Sequence, residues 1–200
     1  VLIAVVAAAV PMAATSESAT RASGTPATGA HATGTHATGT SARAVRGMPA
    51  TMAVQAIDDT GATVTLPAPA TRIVSLAPHA TELLIAAGAG SRIVGAVAAS
   101  GTPNDRHVSA AGPAVPNVGD ARSVDLERIL ALEPDLIVTW PYTVPAQVQA
   151  LTARGARAFV TDPATIEGIA TDIERLGTLA GSEAQARAAA AGFRDRILRL

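Results

Sequence analysis

Cysteine and lysine are both absent from the 200-residue sequence, and only four residues are aromatic: Trp140, Tyr142, Phe159 and Phe193. Without cysteine the chain contains no disulfide, no thiolate metal site, no cysteine nucleophile and no cysteine to carry a lipid anchor. All fifteen basic residues are arginine, and the formal net charge is −1. This charge excludes the strongly basic surface that nucleic acid binding requires. Apolar residues nevertheless make up 48% of the sequence, which is enough for a hydrophobic core.

The first fourteen residues, "VLIAVVAAAVPMAA", are all apolar or small. The run is shorter than the roughly 20 residues that a membrane-spanning helix needs. Its length and its small residues are typical of the apolar region of a secretory signal, so residues 1–14 are interpreted as part of a signal peptide. The alternative is the apolar N-terminus of a cytosolic protein. We expect export to the periplasmic or extracellular side of the cytoplasmic membrane.

Residues 15–50 form a low-complexity segment in which "ATGAH", "ATGTH" and "ATGTS" follow one another. Small polar residues and glycine at this density bury too little apolar surface to offset the entropy of ordering, so a disordered linker is predicted. His31 and His36 lie in the repeat and could chelate a metal together. A pair of histidines in a flexible segment is a weak site, and the passive linker is the favoured interpretation.

From residue 51 onward, short β-type runs alternate with helical ones. Asp59-Thr60-Gly61 lies between two strand-like runs and predicts a hairpin. The later strand-like runs, "RIVSLA", "RIVGAV", "DLIVTW" and "ARAFVTD", are apolar on both faces and separated by helical segments. This pattern predicts an α/β domain over residues 51–180, with a parallel sheet flanked by helices. Thr81 and Ser123 are the predicted N-caps of two of its helices.

Two apolar stripes at helical spacing occupy the last part of the chain, on either side of Gly181-Ser182. The first consists of Ile166, Ile169, Ile173, Leu176 and Leu179, and the second of Ala186, Ala190, Phe193, Ile197 and Leu200. The second stripe is unfinished at Leu200, which predicts a fragment of something longer. We therefore expect the last helix to expose apolar residues to a partner.

Candidate ligand contacts come from the carboxyl ends of the predicted strands, where open parallel sheets bind their ligands. These ends and the adjoining loops carry Pro78, His79, Ser100, Arg122, Trp140 and Tyr142. Trp140 and Tyr142 are interpreted as a wall against which a flat ligand stacks, with a role in the core as the alternative. His79 is either a turn residue that caps the next helix or a ligand contact.

A catalytic triad of Ser75, His79 and a carboxylate, Asp120 or Asp162, is the enzymatic alternative. The sequence has no nucleophile elbow, no phosphate-binding glycine loop and no H-E-x-x-H helix. Ser75 lies in a predicted strand, where a hydroxyl most often bonds to the backbone. We therefore predict a protein that is not an enzyme and that has no catalytic residue, no metal-ligating residue and no cofactor.

Three segments in the same order resemble one known family: "RIVSLAPHATELLIAAGAGSRIVGAV", "VPNVGDARSVDLERILALEPDLIVTW" and "ARGARAFVTDPATIEGIATDIERLGTLAG". They are similar to the solute-binding proteins of ABC importers that have a helical backbone, a class that carries cobalamin, iron-siderophores and haem. The resemblance covers about residues 53–200. It implies two α/β lobes joined by one long helix, with the N-terminal lobe at 51–180, a truncated bridging helix at 181–200 and the second lobe absent.

The resemblance also assigns roles to single residues. Trp140 matches an aromatic that lines the ligand cleft, His79 a variable position at its mouth, and Glu127 a surface glutamate that docks into an arginine pocket of the membrane permease. "AASGTPND" and "GDARS" depart from the family where aromatics are expected, and Arg122 favours an anionic group instead. Cobalamin is the first expectation, an iron-siderophore or haem follows, and the protein is expected to be a monomer. A truncated sensor or remnant without tight binding is the rival interpretation.

Overall fold

A computed structural model describes residues 53–97, 115–120, 123–143 and 145–199, and this part of the chain begins with an antiparallel hairpin. Its strands are β1 (Val54–Ile57) and β2 (Thr63–Leu66). The Asp58 carboxylate closes the turn, because its Oδ1 accepts bonds from the Thr60 and Ala62 N–H groups, each at 3.0 Å. Gly61 has a φ of 84°, a left-handed conformation that glycine adopts without a steric penalty. The predicted hairpin is confirmed.

Four further strands form a sheet in which every pair is parallel. The strands are β3 (Ile73–Ser75), β4 (Ile93–Ala96), β5 (Leu136–Thr139) and β6 (Arg157–Val160), and their order in the sheet is β4-β3-β5-β6. Helices cover both faces of this sheet, so the predicted α/β class is confirmed.

The helices connect or follow the strands of this sheet. They are α1 (Pro78–Ala86), α2 (Leu126–Ala131), α3 (Pro145–Thr152), α4 (Ile166–Ala180) and α5 (Glu183–Ile197), with a 3-10 turn at Gly90–Arg92 before β4. Alternate strand residues enter two separate cores. Leu136 and Val138 pack with residues of α1, α4, α5 and the hairpin, whereas Ile137 packs with residues of α2 and α3. Burial on both faces explains why these strands read as continuous apolar runs.

The predicted N-caps at Thr81 and Ser123 are wrong. Helix α1 begins two residues after Leu76, with Ala77 at the N-cap, and Thr81 is buried one turn inside the helix. Its hydroxyl donates to Ser75 Oγ at 2.9 Å, so it joins the helix to the strand. Helix α2 is capped by Asp125, whose carboxylate accepts the Arg128 N–H at 3.0 Å. Ser123 instead donates its N–H to the Asp120 carboxylate, within the preceding turn.

The last two helices are separate, as the Gly181-Ser182 signal predicts, but the apolar stripe of α5 is not exposed. Ala186, Ala190 and Phe193 are buried within the described unit. Helix α5 packs on α4 and reaches α1, where Ser182 Oγ donates to the Ala87 carbonyl at 2.7 Å. The expectation of an uncovered apolar helix is therefore wrong for these three residues, because α4 and α1 supply the surface that covers them.

Several sequence predictions fall outside the described residues. They are the signal segment 1–14, the linker 15–50 with His31 and His36, and the candidate contacts Ser100 and Arg122. Within the described ranges, no helix combines the length and the apolar character that crossing a membrane requires.

Candidate functional site

Two adjacent central strands, β3 and β5, send their connections in opposite directions. From β3 the chain passes through α1 to β4 on one side, and from β5 it passes through α3 to β6 on the other. Such a reversal opens a crevice at the carboxyl ends of the two strands, which is where ligands of open α/β sheets bind. The residues that follow β3 and β5 therefore define the candidate site.

Pro78 and His79 follow β3 and form the first turn of α1. Proline suits the first helical position, because it has no N–H to leave unpaired and its fixed φ fits a helix. This early start places His79 in the first turn at the carboxyl edge of the sheet. The ring centroids of His79 and Trp140, which follow different strands, lie 5.4 Å apart with an interplanar angle of 66°. The structure thus brings together two residues that are 61 positions apart in the sequence.

The residues after β5 form a tight turn that presents two aromatic rings. Thr143 donates its N–H to the Trp140 carbonyl at 3.1 Å, and Pro141 occupies the second position of the turn, where proline is favoured. The Thr139 hydroxyl donates to the Thr143 hydroxyl at 2.7 Å and pins the turn to the strand. The rings of Trp140 and Tyr142 are 4.9 Å apart in an edge arrangement. An edge arrangement at this distance is favourable for aromatic pairs.

These aromatic residues differ in how far they enter the protein. Trp140 is partly buried and packs against the larger core, whereas the Tyr142 side chain is 72% exposed. The three rings of His79, Trp140 and Tyr142 therefore make a continuous wall that rises from the core to the solvent. We call this set the aromatic wall. A wall of this kind can stack against a flat ligand while one end stays anchored.

His79 lies near the residues that follow β6 as well as against Trp140. Burial lowers the pKa of His79, against the opposing effects of the Thr161 backbone and of the Asp162 charge. The imidazole is therefore neutral at neutral pH, which suits contact with an uncharged aromatic surface better than a charged group would.

A polar cluster behind the aromatic wall was missed in the sequence analysis. Asp172 of α4 is buried and accepts the Thr161 hydroxyl at 2.7 Å, and Arg175 bonds both Asp172, at 3.1 Å, and Asp59, at 2.8 Å. In the sequence, the position of Asp59 is typical of a turn residue. Those of Asp172 and Arg175 are typical of the polar face of an amphipathic helix. Asp59 and Asp172 are 113 positions apart, so no local sequence pattern predicts that they bond the same arginine.

The contacts of Ser75 do not support the catalytic triad. The Ser75 hydroxyl donates to the Ala77 carbonyl at 3.0 Å and accepts the Thr81 hydroxyl at 2.9 Å. Of the two candidate carboxylates, Asp162 lies near His79 and acts on it electrostatically, while Asp120 accepts the Ser123 N–H at 3.0 Å. These contacts describe a structural serine that joins β3 to α1.

Glu127 lies at the same edge of the sheet as the aromatic wall. It is exposed in the first turn of α2, a helix that begins at the carboxyl edge and runs back toward the start of β5. Arg128, the next residue, donates from its guanidinium to the Asn117 carbonyl at 2.7 Å and ties the helix to the preceding loop. The Glu127 carboxylate is thus displayed on a fixed helix start.

Known proteins match this chain over the same region as the fold and the candidate site. The family described as "Periplasmic binding protein" matches residues 73–200. A curated relative, the vitamin B12-binding protein of Vibrio campbellii, is 35% identical over 130 residues, which cover 64% of this chain and 45% of the relative. The chain spans about half the length of the curated relatives it matches.

Two solved structures carry the same fold. The periplasmic vitamin B12 binding protein BtuF of Vibrio cholerae has a TM-score of 0.57 and 33% identity, and the match covers 66% of this chain and 49% of that one. The periplasmic haem binding protein HutB of Vibrio cholerae has a TM-score of 0.55 and 26% identity, with coverage of 65% and 49%. The chain belongs to the periplasmic binding protein family, and the resemblance inferred from the three sequence segments is confirmed.

Proposed function

We propose that this protein captures a metal-chelate ligand, with cobalamin as the first candidate, outside the cytoplasmic membrane and delivers it to an ABC importer. The observation that carries the proposal is the aromatic wall at the crevice between β3 and β5. Its rings meet edge to face, at 5.4 Å between residues that follow two different strands and at 4.9 Å within the turn after β5. A flat, largely apolar ligand face is the surface that such a wall complements.

Cobalamin is placed first because the chain is 35% identical to a protein named for vitamin B12 binding. Haem is the second candidate, because a haem binding protein with the same fold is 26% identical. An iron-siderophore remains a third expectation from the family resemblance. Pro78, His79, Trp140 and Tyr142 are the proposed contacts, with Ser100 and Arg122 added from the undescribed loops.

The proposed mechanism is binding without chemistry, and the protein is proposed to act as a monomer. Residues 51–180 would serve as one lobe of a two-lobe protein, with the ligand held between the lobes. The helix over 181–200 would lead to the other lobe. Its contacts with α4 and α1 would make it a stiff connection, so closure on the ligand would be small.

Glu127 is the proposed contact with the importer permease. A carboxylate displayed on a fixed helix start can accept two parallel bonds from an arginine, and such a charge-assisted pair gives both strength and orientation. Its place at the carboxyl edge supports this role, because a permease that receives the ligand must reach the edge from which the ligand leaves.

Calorimetric titration of the protein with cyanocobalamin, haem and a ferric siderophore tests the ligand. We expect saturable binding of cyanocobalamin, with quenching of Trp140 emission and a rise in melting temperature, because a ligand that binds only the native state stabilises it. Replacement of Trp140 by leucine should weaken this binding. Saturable binding of haem alone would overturn cobalamin and keep the family function, while no binding of any of the three would overturn the proposed capture.

A further inference from the structure

Arg194, in the last turn of α5, is shared by two carboxylates of α4. Its Nε lies 2.9 Å and 3.0 Å from the two carboxylate oxygens of Glu167, and its Nη2 bonds the first of these oxygens. Its Nη1 donates to Glu174 Oε1 at 2.6 Å. Most ion pairs at a surface add little stability, but an arginine that binds a carboxylate through two nitrogens within a network of charges is an exception. We call Arg194, Glu167 and Glu174 the ionic clasp.

The ionic clasp joins the end of α5 to the carboxyl edge of the sheet. Glu167 is in the first turn of α4, a helix that begins at that edge after the loop that follows β6. Helix α5 runs back along α4 in the opposite direction, because Ser182 at its start bonds the end of α1 and Arg194 near its end bonds Glu167. The last turn of α5 therefore lies at the same edge as the candidate ligand site.

Apolar packing holds α5 as far as Phe193 and is weaker beyond it. Phe193 is the last buried residue of the helix. In the following turn Ile197 is only partly buried, and Leu198 is 84% exposed. Gly192 directly precedes Phe193, and glycine is among the weakest helix formers. The position of the last turn thus depends on the ionic clasp more than on apolar contacts.

Arg196 acts against this position of the last turn. Its Nε is buried, and within the described residues no hydrogen-bond partner reaches it. A buried donor without a partner costs the free energy of removing it from water. Movement of the turn away from its neighbours would return this N–H to water. Arg196 therefore favours release of the turn, whereas the ionic clasp favours its docking on α4.

We propose that the last turn of α5 is a hinge with a docked and a released position, and that the ionic clasp sets the balance between them. In the docked position the turn continues α5 along α4, and in the released position it pivots next to Gly192. The inference rests on the proposed function in one respect, namely that α5 would lead to the second lobe of a two-lobe protein. The clasp would keep that connection stiff, and its release would loosen it.

Ionic strength is the variable that opens the ionic clasp. The hydrogen bonds from Arg194 lower the pKa of Glu167, and the bonds to Glu167 and Glu174 raise the pKa of Arg194. Arg194 and Glu167 therefore stay charged around neutral pH. Salt weakens their attraction, because the screening length falls from about 30 Å at about 0.01 M to about 3 Å at about 1 M.

Amide hydrogen exchange, followed by mass spectrometry, tests the proposal on the chain without ligand. The exchange rate of the last turn of α5 is compared with that of residues 184–190. In the unmodified protein, an increase in NaCl from about 0.01 M to about 1 M should accelerate exchange in the last turn alone. Arg194→Gln should accelerate it by about two- to five-fold at low salt, the range for a surface ion pair, and should remove the salt dependence. Arg196→Met should slow it, because the unpaired donor is removed.

Arg187→Gln is the matched control, because Arg187 is an exposed arginine of the same helix outside the ionic clasp. It should leave exchange in the last turn unchanged. The proposal is overturned if salt does not accelerate exchange in the last turn of the unmodified protein, if Arg194→Gln does not, or if Arg196→Met fails to slow it. If Arg194→Gln does not fold by circular dichroism, Glu167→Gln decides by the same criterion. The experiment contains no ligand, so a failure to bind cobalamin, haem or a siderophore concerns the proposed function alone.

Discussion

At the scale of single residues, Trp140 and Tyr142 differ in how far their side chains are exposed to solvent. Trp140 packs partly against the core, so its replacement affects both the fold and any ligand contact. Tyr142 is 72% exposed and lies on a turn that Thr139 and Thr143 close without its side chain. A residue of this kind adds little to the stability of the native state, and its effect on binding can be measured cleanly.

Tyr142→Ala should weaken ligand binding and leave the melting temperature unchanged. An aromatic contact contributes about 0.5–1.5 kcal/mol beyond area burial, so the dissociation constant should rise by roughly two- to ten-fold in calorimetry. Leu198→Ala is the matched control, because Leu198 is apolar, 84% exposed and follows α5. Unchanged affinity in Tyr142→Ala would remove this residue from the proposed wall.

Sequence reasoning at this scale predicted that His79 and Trp140 lie at the carboxyl edge of the sheet, where the structure has them, and it missed the burial of Asp172, while ligand contact by His79 and Trp140 stays a prediction. The first two directly follow apolar strand runs, and the end of such a strand has a known location in a parallel sheet. Asp172 lies inside a helical segment, where a polar residue reads as solvent-exposed. Only the approach of β6 and the hairpin turn buries it, and that contact between distant segments has no local pattern.

At the scale of secondary-structure elements, α4 and α5 are joined along most of their length. Near the start of α5, Gly177 of α4 lies so close to Ala186 that a β-carbon at position 177 would overlap the Ala186 side chain. Toward the end of α5, Arg194 pairs with Glu167 and, at 2.6 Å, with Glu174. The contact near the start of α5 depends on two small residues, Gly177 and Ala186, whereas the contact near the end of α5 depends on the ion pairs of Arg194.

Two glycine substitutions separate packing from helix propensity in this pair of helices. Gly177→Ala should lower the free energy of unfolding by about 1–3 kcal/mol, because the neighbouring helix must move away. Gly192→Ala, in the middle of α5 with only Arg196 Nη1 nearby at 3.5 Å, should raise it by about 0.5–1 kcal/mol. Urea denaturation of both variants measures the difference. An equal gain in both would contradict the close approach at Gly177.

At the scale of the whole described unit, residues from several elements meet at the carboxyl edge of the sheet. The aromatic wall follows β3 and β5, Asp59 accepts the Asp162 N–H directly after β6, and Glu127 lies in the first turn of α2 at the same edge. Parallel strands make this concentration unavoidable, because every strand ends at the same edge and every following helix begins there. The proposed ligand capture and the proposed permease docking therefore share one edge.

Glu127→Arg should leave calorimetric ligand affinity unchanged and reduce cellular uptake of that ligand at least about ten-fold, since a charge-assisted pair is replaced by repulsion. Glu133→Arg is the matched control, because Glu133 is an exposed carboxylate at the opposite end of α2. Uptake in this control should remain normal. Normal uptake with Glu127→Arg would refute the docking role.

Local patterns in the sequence determined the α/β class, the hairpin, the break between the last two helices and the ends of the strands. These features depend on hydrophobic periodicity and on residues with special backbone preferences, such as Gly61, Pro78 and Gly181. The tertiary structure alone decided that β3 lies beside β5, that His79 meets Trp140, and that Asp172 and Asp59 share Arg175. Strand order and the burial of charge arise from contacts between distant segments, and the free energy of such contacts leaves no periodic signal along the chain.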